Sequence, residues 1–415
     1  MIITNNTLKQ LQFTIAEKDI FQQQVLHYFS VVKNLVFLNS NNGNSNLIAL
    51  SSTNNRTEYN WQFGFVSYDY KNQIEPQLSS KNTDNILFPE KHFFSPELLF
   101  IISANKVEIQ YEKSIYTKEQ VTTLFNEILQ LELCSILNES VKMTPRLNKD
   151  EYLEKVKTLQ QHIQLGDIYE INFCQEFYAE NVTVNPINLY HKLNKKSPTP
   201  FSCFVKHNDN YLLCASPERF IKKIGDEISS QPIKGTIKRG SSEKEDAILK
   251  EQLKNDPKER SENIMIVDLV RNDLSKIAKK GSVKVDELCG IYTFPQVHQL
   301  ISTVSAKIKE DISFDAILKA TFPMGSMTGA PKVRAMEMIE EYEIAKRGLY
   351  SGTVGYIDSF GNFDFNVVIR SILYNQSTNY LSFFVGGAIT NLSDPEKEYE
   401  ECLLKAKAMF EVLSE

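Results

Sequence analysis

No two of the six cysteines stand in a C-x-x-C pair; Cys134, Cys174, Cys203, Cys214, Cys289 and Cys402 are scattered along the chain. Zinc and dithiol redox motifs are therefore excluded, and free thiols in a reducing cytoplasm are the plain reading. There is no block of Lys and Arg and the net charge is −6, so a nucleic-acid partner lacks electrostatic support. No apolar run reaches the roughly 18 residues of a membrane span, and no membrane association is expected. The opening residues lack a basic segment followed by an apolar one, which excludes a secretory signal. A repeat of fixed period is missing, as is regular alternation of strand and helix patterns. Those two absences argue against solenoid, doubly wound and (β/α)8 folds.

What is present is a 42% apolar composition, enough for a sizeable core. Up to about residue 116 the pattern predicts strands, at 31–38, at 61–70 and in a hairpin over 98–111 that turns at Ala104-Asn105-Lys106. Thr117 then opens a helix, with Gln120 three residues on as in a capping box and Val121, Leu124, Ile128 and Leu131 as its apolar stripe. The polar segment 138–148, with Pro145, is the best candidate for a boundary. Tyr152, Val156, Leu159 and Ile163 recur at helical spacing, and Gly166 is placed to end that helix. Tyr169, Ile171 and Phe173 alternate with polar residues as on a half-buried strand. Hairpins are expected around 207–210 and at Gly225-Asp226, and helices at 242–254, 257–273 and from Pro331. The C-terminal part reads as strands at 351–358, 363–374 and 380–390, then a helix from Pro395. Strand runs joined by short turns, with helices in separate blocks, predict an α+β fold with antiparallel sheets.

Two helices open alike: Asp256-Pro257-Lys258-Glu259-Arg260-Ser261-Glu262 and Asp394-Pro395-Glu396-Lys397-Glu398-Tyr399-Glu400-Glu401. Each has Asp at the N-cap and Pro at the first helical position. Each then carries a Glu pair three apart, Glu259/Glu262 and Glu398/Glu401, on one helix face. Taken singly, such acids are ordinary caps and dipole partners, and Glu401 has Lys405 at i,i+4. Two such faces set opposite each other would concentrate negative charge. Mg²⁺ is the hard cation that best relieves it, because it takes one or two carboxylates and keeps several waters.

Between and around these helices lie longer motifs. They include Gly166-Asp167-Ile168-Tyr169-Glu170-Ile171-Asn172, Ser216-Pro217-Glu218-Arg219-Phe220 and Pro232-Ile233-Lys234-Gly235-Thr236. Glu262 opens a run to Asp273, and Val297-His298-Gln299-Leu300 follows. Phe322-Pro323-Met324-Gly325-Ser326-Met327-Thr328-Gly329-Ala330-Pro331-Lys332 and Gly386-Gly387-Ala388-Ile389-Thr390 complete the set. In this order they resemble the chorismate-utilising enzymes: anthranilate, aminodeoxychorismate, isochorismate and salicylate synthases. The resemblance is clear from about Asp150 onward and weaker before it, where Phe63-Gly64-Phe65-Val66-Ser67-Tyr68-Asp69 carries it. It implies a large α+β sandwich of two antiparallel β-sheets with helices packed outside, as in anthranilate synthase component I, and an active site between the sheets. Residues 1–140 would be an N-terminal region of that sandwich, and 149–415 the chorismate-binding catalytic region.

The resemblance also implies roles. Glu262 and Glu401 would bind Mg²⁺ directly, and Glu259 and Glu398 through its waters, so that the metal holds the ring carboxylate of chorismate. Arg370 and Tyr356 match positions that hold the enolpyruvyl carboxylate, and Lys405 one near the metal-bound carboxylate. Gly386 and Gly387 would let a ligand approach the strand backbone, a β-bulge being the other reading. The amides of the loop from Gly325 to Lys332 could face an anion; it is not a Walker A loop, because Lys332 does not directly follow Gly329. Glu218 matches the general acid that protonates the departing C4 hydroxyl. His298 matches a residue lining the ring near C4, and a buried core histidine is equally ordinary.

Lys234 selects among family members. Anthranilate synthases usually have Ala there, whereas many aminodeoxychorismate synthases have a nucleophilic Lys that attacks ring C2 before ammonia enters at C4. Its amine must be uncharged, so burial or the nearby Lys238 and Arg239 are expected to depress its pKa. Ser326, where anthranilate synthases commonly have Thr, agrees. Glu170 stands where isochorismate and salicylate synthases place a Lys base and ammonia-using members usually a Gln. The chain thus resembles component I of aminodeoxychorismate synthase, with ammonia supplied from glutamine by a separate amidotransferase subunit. The alternatives are anthranilate synthase component I and a non-catalytic chorismate-binding or amidotransferase-scaffolding subunit. A tryptophan-site motif is not evident in residues 1–60.

Overall fold

The structure, a computed structural model, describes residues 8–41, 43, 45–57, 60–133, 140–294 and 297–414. Cys134 and residues 138–139 of the expected boundary segment lie outside these. Among the described residues two sheets form, and every strand pairing within them is antiparallel. The larger sheet has twelve strands, eleven along one path and Thr144–Pro145 paired beside Glu170–Ala179. Its path runs Leu8–Thr14, Lys106–Glu112, Leu98–Ser103, Asn46–Ser51, Asn34–Asn39, Phe201–His207, Asn210–Ser216, Ser371–Asn375, Tyr380–Ile389, Glu170–Ala179 and Gly329–Ala330. The smaller has nine, eight of them on a path from Ile233–Lys238 through Val297–Lys307, Glu227–Gln231, Arg219–Ile224, Phe363–Asn366, Thr353–Ile357 and Gln62–Val66 to Lys91–Phe94, with Lys284–Thr293 paired to Val297–Lys307. Strands from before residue 116 thus sit in both sheets.

The larger sheet is covered on both faces, and alternate residues of one strand serve different cores. Leu35 and Phe37 pack under helices that contribute Val25, Val121, Leu159, Leu193 and Met409. Val36 between them faces the second sheet, together with Phe63, Phe65, Val354 and Phe365. This double covering corrects the half-buried strand expected at 169–173. Glu170–Ala179 lies between two neighbours and all but one of its residues are buried, while Tyr169 stays outside, 68% exposed. A strand with both faces covered has no solvent side to show as polar alternation.

Local signals set several boundaries. Both hydrogen bonds of the Thr117/Gln120 capping box form, at 3.3 and 2.8 Å. Gly166 closes Lys149–Leu165 in the left-handed conformation at φ 83°, and Asp256 caps Pro257–Ser275 by accepting from the amides of Lys258 and Glu259. Four helices escape the periodicity: Lys18–Tyr28, the single turn Lys71–Ile74, Pro186–Lys196 and Phe314–Thr321. The first has no side-chain cap and only a weakly amphipathic sequence. The expected strand 363–374 is two strands in different sheets, Phe363–Asn366 and Ser371–Asn375, with Arg370 at φ 50° in the crossing between them. No described helix is long and apolar enough to cross a membrane, and Cys174, Cys203, Cys214, Cys289 and Cys402 are buried and free.

Candidate active site

The chain passes between the sheets several times, and two of these crossings lie side by side. One is the turn from Asn210–Ser216 to Arg219–Ile224, which carries Glu218; the other is the 367–370 crossing, which carries Arg370. The crossings are tied together: Val367 N–H donates to the Glu218 carbonyl at 3.0 Å, and Ala215 N–H to the Arg370 carbonyl at 3.1 Å. Arg370 holds a left-handed conformation unusual for a side-chain-bearing residue, local strain of the kind found at functional positions.

Glu218 is 4% exposed, and Ser326 Oγ donates to its Oε1 at 2.8 Å. Burial pushes the carboxyl up to about 7, against the opposing pull of Ser326, Lys234 and Arg370. The adjacent Arg219 turns away into a bidentate pair with Asp364, at 2.9 and 3.0 Å. Burial lowers the pKa of Arg370, with Glu218 as the nearby opposite charge.

Lys234 lies on Ile233–Lys238, where the register to Val297–Lys307 shifts between Ile233 and Thr236. Gly235 sits in that irregularity at φ 93°, a conformation that favours glycine; a Cβ there would also press on the Leu300 side chain at 2.9 Å and on Glu259 Oε2 at 3.2 Å. A bulge re-aims a side chain, and this one sends Lys234 inward. Its Nζ lies 3.0 Å from Glu170 Oε1, with the lysine side chain 11% exposed and that of Glu170 2%. Burial alone would lower the lysine's pKa, but Glu170, Glu262 and Glu218 outweigh it and hold the ammonium form well above its ordinary range. The expected depression by Lys238 and Arg239 does not occur. Arg239 is engaged by Asp246 at 2.7 and 2.8 Å and by the Phe294 carbonyl at 3.0 Å, and Lys238 is exposed.

The two acidic helices, Pro257–Ser275 and Pro395–Ser414, do approach each other. Their link is Lys258, whose Nζ lies 3.4 Å from Glu398 and 3.8 Å from Glu262. Burial raises the pKa of Glu262 to about 7 and also raises that of Glu259, each under repulsion from a neighbouring glutamate. Glu401 is lowered, chiefly by Lys405, whose Nζ lies 2.7 Å from it and donates to the Gly386 carbonyl at 3.0 Å. A Cβ on Gly387 would lie 3.2 Å from Glu398 Oε2, so that glycine opens toward the glutamates. A Cβ on Gly386 would strike the backbone of the neighbouring strand, and the ladder through both glycines is in continuous register, which disposes of a bulge there.

Among the described residues no three His, Cys, Asp or Glu side chains converge as a ready metal site. The donor chemistry nevertheless suits a hard cation. Glu262 Oε1 is buried without a hydrogen-bond partner, and the Lys258 ammonium already stands as a cation between glutamates of both helices.

Two predicted residues make their contacts with other groups. Tyr356 pairs with Asp364, and its ring packs against Trp61 at 5.3 Å and Phe63 at 6.0 Å. The tyrosine beside the 367–370 crossing is instead Tyr350, stacked on Phe384 at 5.3 Å, where Ser351 N–H donates to the Val368 carbonyl at 2.8 Å. His298 is buried with both ring nitrogens engaged, by Thr293 Oγ1 at 2.9 Å and Asp246 at 3.0 Å, and it fixes the Glu243–Asn255 helix against the sheet. Lys332 is likewise committed, to Asp273 and to the Pro323 carbonyl.

Residue-type patterns gave no sign of Arg347, which is 2% exposed. It donates to Glu343 at 2.6 and 2.9 Å, to the Met327 carbonyl at 2.7 Å, to Ser351 at 3.2 Å and to the Asn172 carbonyl at 2.8 Å. One guanidinium thus holds together the segments that present Ser326, Tyr350 and Glu170. Lys258 was foreshadowed by its i,i+4 spacing to Glu262.

Comparison with known proteins places this geometry. The family description "chorismate binding enzyme" matches residues 8–411. The chain is 39% identical to aminodeoxychorismate synthase component 1 of Klebsiella aerogenes, an alignment covering 84% of this chain and 76% of that protein. It is 36% identical to the probable chloroplastic aminodeoxychorismate synthase of Oryza sativa subsp. japonica, over 86% of this chain but only 44% of that longer relative. In three dimensions it matches anthranilate synthase component I from Streptococcus pneumoniae with a TM-score of 0.75 at 24% identity, over 97% of this chain and 92% of that one. That likeness speaks to the fold, an α+β sandwich of two antiparallel sheets with helices outside.

Proposed function

The chain belongs to the chorismate-binding enzyme family, and from that premise we propose that it aminates chorismate at ring C4 with ammonia, releasing 4-amino-4-deoxychorismate and water. The observation that carries this reading is the inward Lys234, buried in one charge cluster with the acid Glu218. The C4 hydroxyl is a poor leaving group until protonated, and a carboxyl kept neutral by burial supplies that proton. Lys234 Nζ attacks C2, the ring double bonds shift and the C4–O bond breaks, with the hydroxyl leaving as water on the Glu218 proton. Ammonia then forms the C4–N bond and expels the lysine, so one hard substitution becomes two easier ones. Ser326 orients Glu218. Arg370, with Tyr350 rather than Tyr356 beside it, is the group for the enolpyruvyl carboxylate, since a guanidinium fork matches a carboxylate.

Glu262 and Glu401, with Glu259 and Glu398 behind them, are the residues to hold Mg²⁺; when bound it would neutralise the charge of the ring carboxylate. Lys405, on Glu401 and the Gly386 carbonyl, lines the same end. Ammonia is supplied by a separate glutamine amidotransferase subunit, a reading supported by the designation of the Klebsiella relative as a component.

The test is product identity. Incubated with chorismate, Mg²⁺ and ammonium salt, the protein alone should yield aminodeoxychorismate, identified by mass. Anthranilate with pyruvate would move the chain to the sibling activity, and isochorismate would remove amination altogether.

A pH profile provides a second check. The acid works in its neutral form, and its pKa is raised to about 7. With free ammonia held constant, turnover should therefore be level below about pH 7 and fall roughly tenfold per pH unit above it. A profile that stays level to pH 9 would take the acid role from Glu218.

A further inference from the structure

We infer that Glu170 is the proton acceptor that converts the Lys234 ammonium into the attacking amine, and later returns the proton. The inference rests on the nucleophilic role proposed for Lys234. The structure poses the problem itself, because Lys234 is paired with a carboxylate 3.0 Å away, and in that pair it is an ammonium with no lone pair with which to attack C2.

Six charged groups face the lysine, from four elements. Glu170 comes from the strand Glu170–Ala179, Glu259 and Glu262 from the helix Pro257–Ser275, and Glu218 from the sheet crossing. Glu401 and Lys405 come from the helix Pro395–Ser414. Of these, Glu170 is the one that forms an ion pair with it, at 3.0 Å. Glu218 is engaged by Ser326 and must hold its own proton for the leaving hydroxyl, and Glu401 is engaged by Lys405. Glu170 Oε1 meets the ammonium, while its Oε2 is buried with no hydrogen-bond partner. A buried oxygen without a donor is costly to leave bare, and a proton placed on it would satisfy it. When substrate closes the site and excludes water, the neutral amine–acid pair loses less solvation than the ion pair does.

The protons balance over the cycle. Lys234 Nζ gives one proton to Glu170, and the amine forms the C2–N bond as water leaves on the Glu218 proton. Ammonia adds at C4 while the C2–N bond breaks, freeing Lys234 as amine. The product ammonium returns a proton to Glu218, and Glu170 returns its own to Lys234. No outside acid, base or redox partner is required.

The test is Glu170→Gln, which keeps a hydrogen-bonding oxygen near Lys234 and removes the proton acceptor. Turnover is compared with that of the unsubstituted protein from pH 6 to 9, at saturating chorismate and constant free ammonia. Loss of a positioned base costs on the order of 100-fold or more. The deficit should be largest at pH 6 and shrink about tenfold per pH unit as solvent takes over the deprotonation, with the chorismate KM little changed. Glu170→Asp, which retains an acceptor, should show no such slope. A Gln variant equal to the unsubstituted protein at every pH overturns the inference, and so does a deficit that does not change with pH. If the Gln variant fails to fold, an Asp variant with the sloping deficit overturns it instead. Lys234→Ala in parallel separates the two readings. Full activity there removes the covalent step itself, whereas an inactive Ala variant beside a flat Glu170→Gln ratio removes only the role of Glu170.

Discussion

Lys234→Ala should lower amination by on the order of 1000-fold or more and leave the fold intact. A factor of that size corresponds to about 4 kcal/mol of transition-state stabilisation, within reach of a group that makes and breaks a covalent bond. The fold should survive because Lys234 Nζ reaches one hydrogen-bond partner, Glu170. Truncation leaves that carboxylate buried without its cation, so some stability is lost. The inward bulge is a property of the backbone around Gly235 and does not need the amine. Activity should therefore fall far more than melting temperature. Chorismate binding, followed by calorimetry with Mg²⁺ present, should remain within several-fold. If the Ala variant turns over at the unsubstituted rate, ammonia attacks C4 directly and the amine is a structural cation. Loss of activity together with loss of chorismate binding would give Lys234 a ground-state role instead.

Local chemistry was legible in the residues, and long-range placement was not. Capping at Thr117, Asp256 and Gly166 involves groups within a few positions of one another, so it can be read from a string of letters. The Glu401–Lys405 contact is likewise a matter of helical spacing. Lys234 and Glu170 are 64 residues apart, and only the assembled sheets reveal that each is the other's partner. The expectation of a depressed lysine pKa came from burial or from Lys238 and Arg239, neighbours in sequence; burial does pull that way, but the glutamates facing the amine outweigh it. Lys238, at the end of the strand, is exposed, and Arg239 is spent on Asp246 of the helix Glu243–Asn255. Tyr356 was singled out for a related reason. It lies within the strand Thr353–Ile357, six residues after Tyr350, and only the switch of the chain between sheets near Arg370 shows that the segment of Tyr350 reaches the crossing. The apolar run Val367-Val368-Ile369 looks like continuous strand because the crossing is itself buried.

Glu262→Gln and Lys258→Met should shift magnesium binding in opposite directions. In the structure the helices Pro257–Ser275 and Pro395–Ser414 are joined through Lys258, which partly neutralises Glu262 and Glu398. Its own pKa shows the same compensation: burial would lower it, and Glu398, Glu262 and Glu259 raise it. A divalent ion entering this cluster must displace that ammonium or share the carboxylates with it. Removing a direct ligand should weaken magnesium binding by on the order of 100-fold, since even outer-shell partners of ligands are worth about 10–100-fold. Removing the competing ammonium while keeping its aliphatic stem should tighten it several-fold, because an uncompensated pair of carboxylates attracts a divalent ion more strongly. Calorimetric titration of magnesium into the protein without chorismate reads this directly and does not depend on turnover. Excess chelator should abolish turnover by the unsubstituted protein, and added magnesium should restore it. If Lys258→Met binds magnesium more weakly, the lysine organises the site and does not compete for it. If Glu262→Gln binds it unchanged, the orphaned oxygen of Glu262 serves something other than a metal.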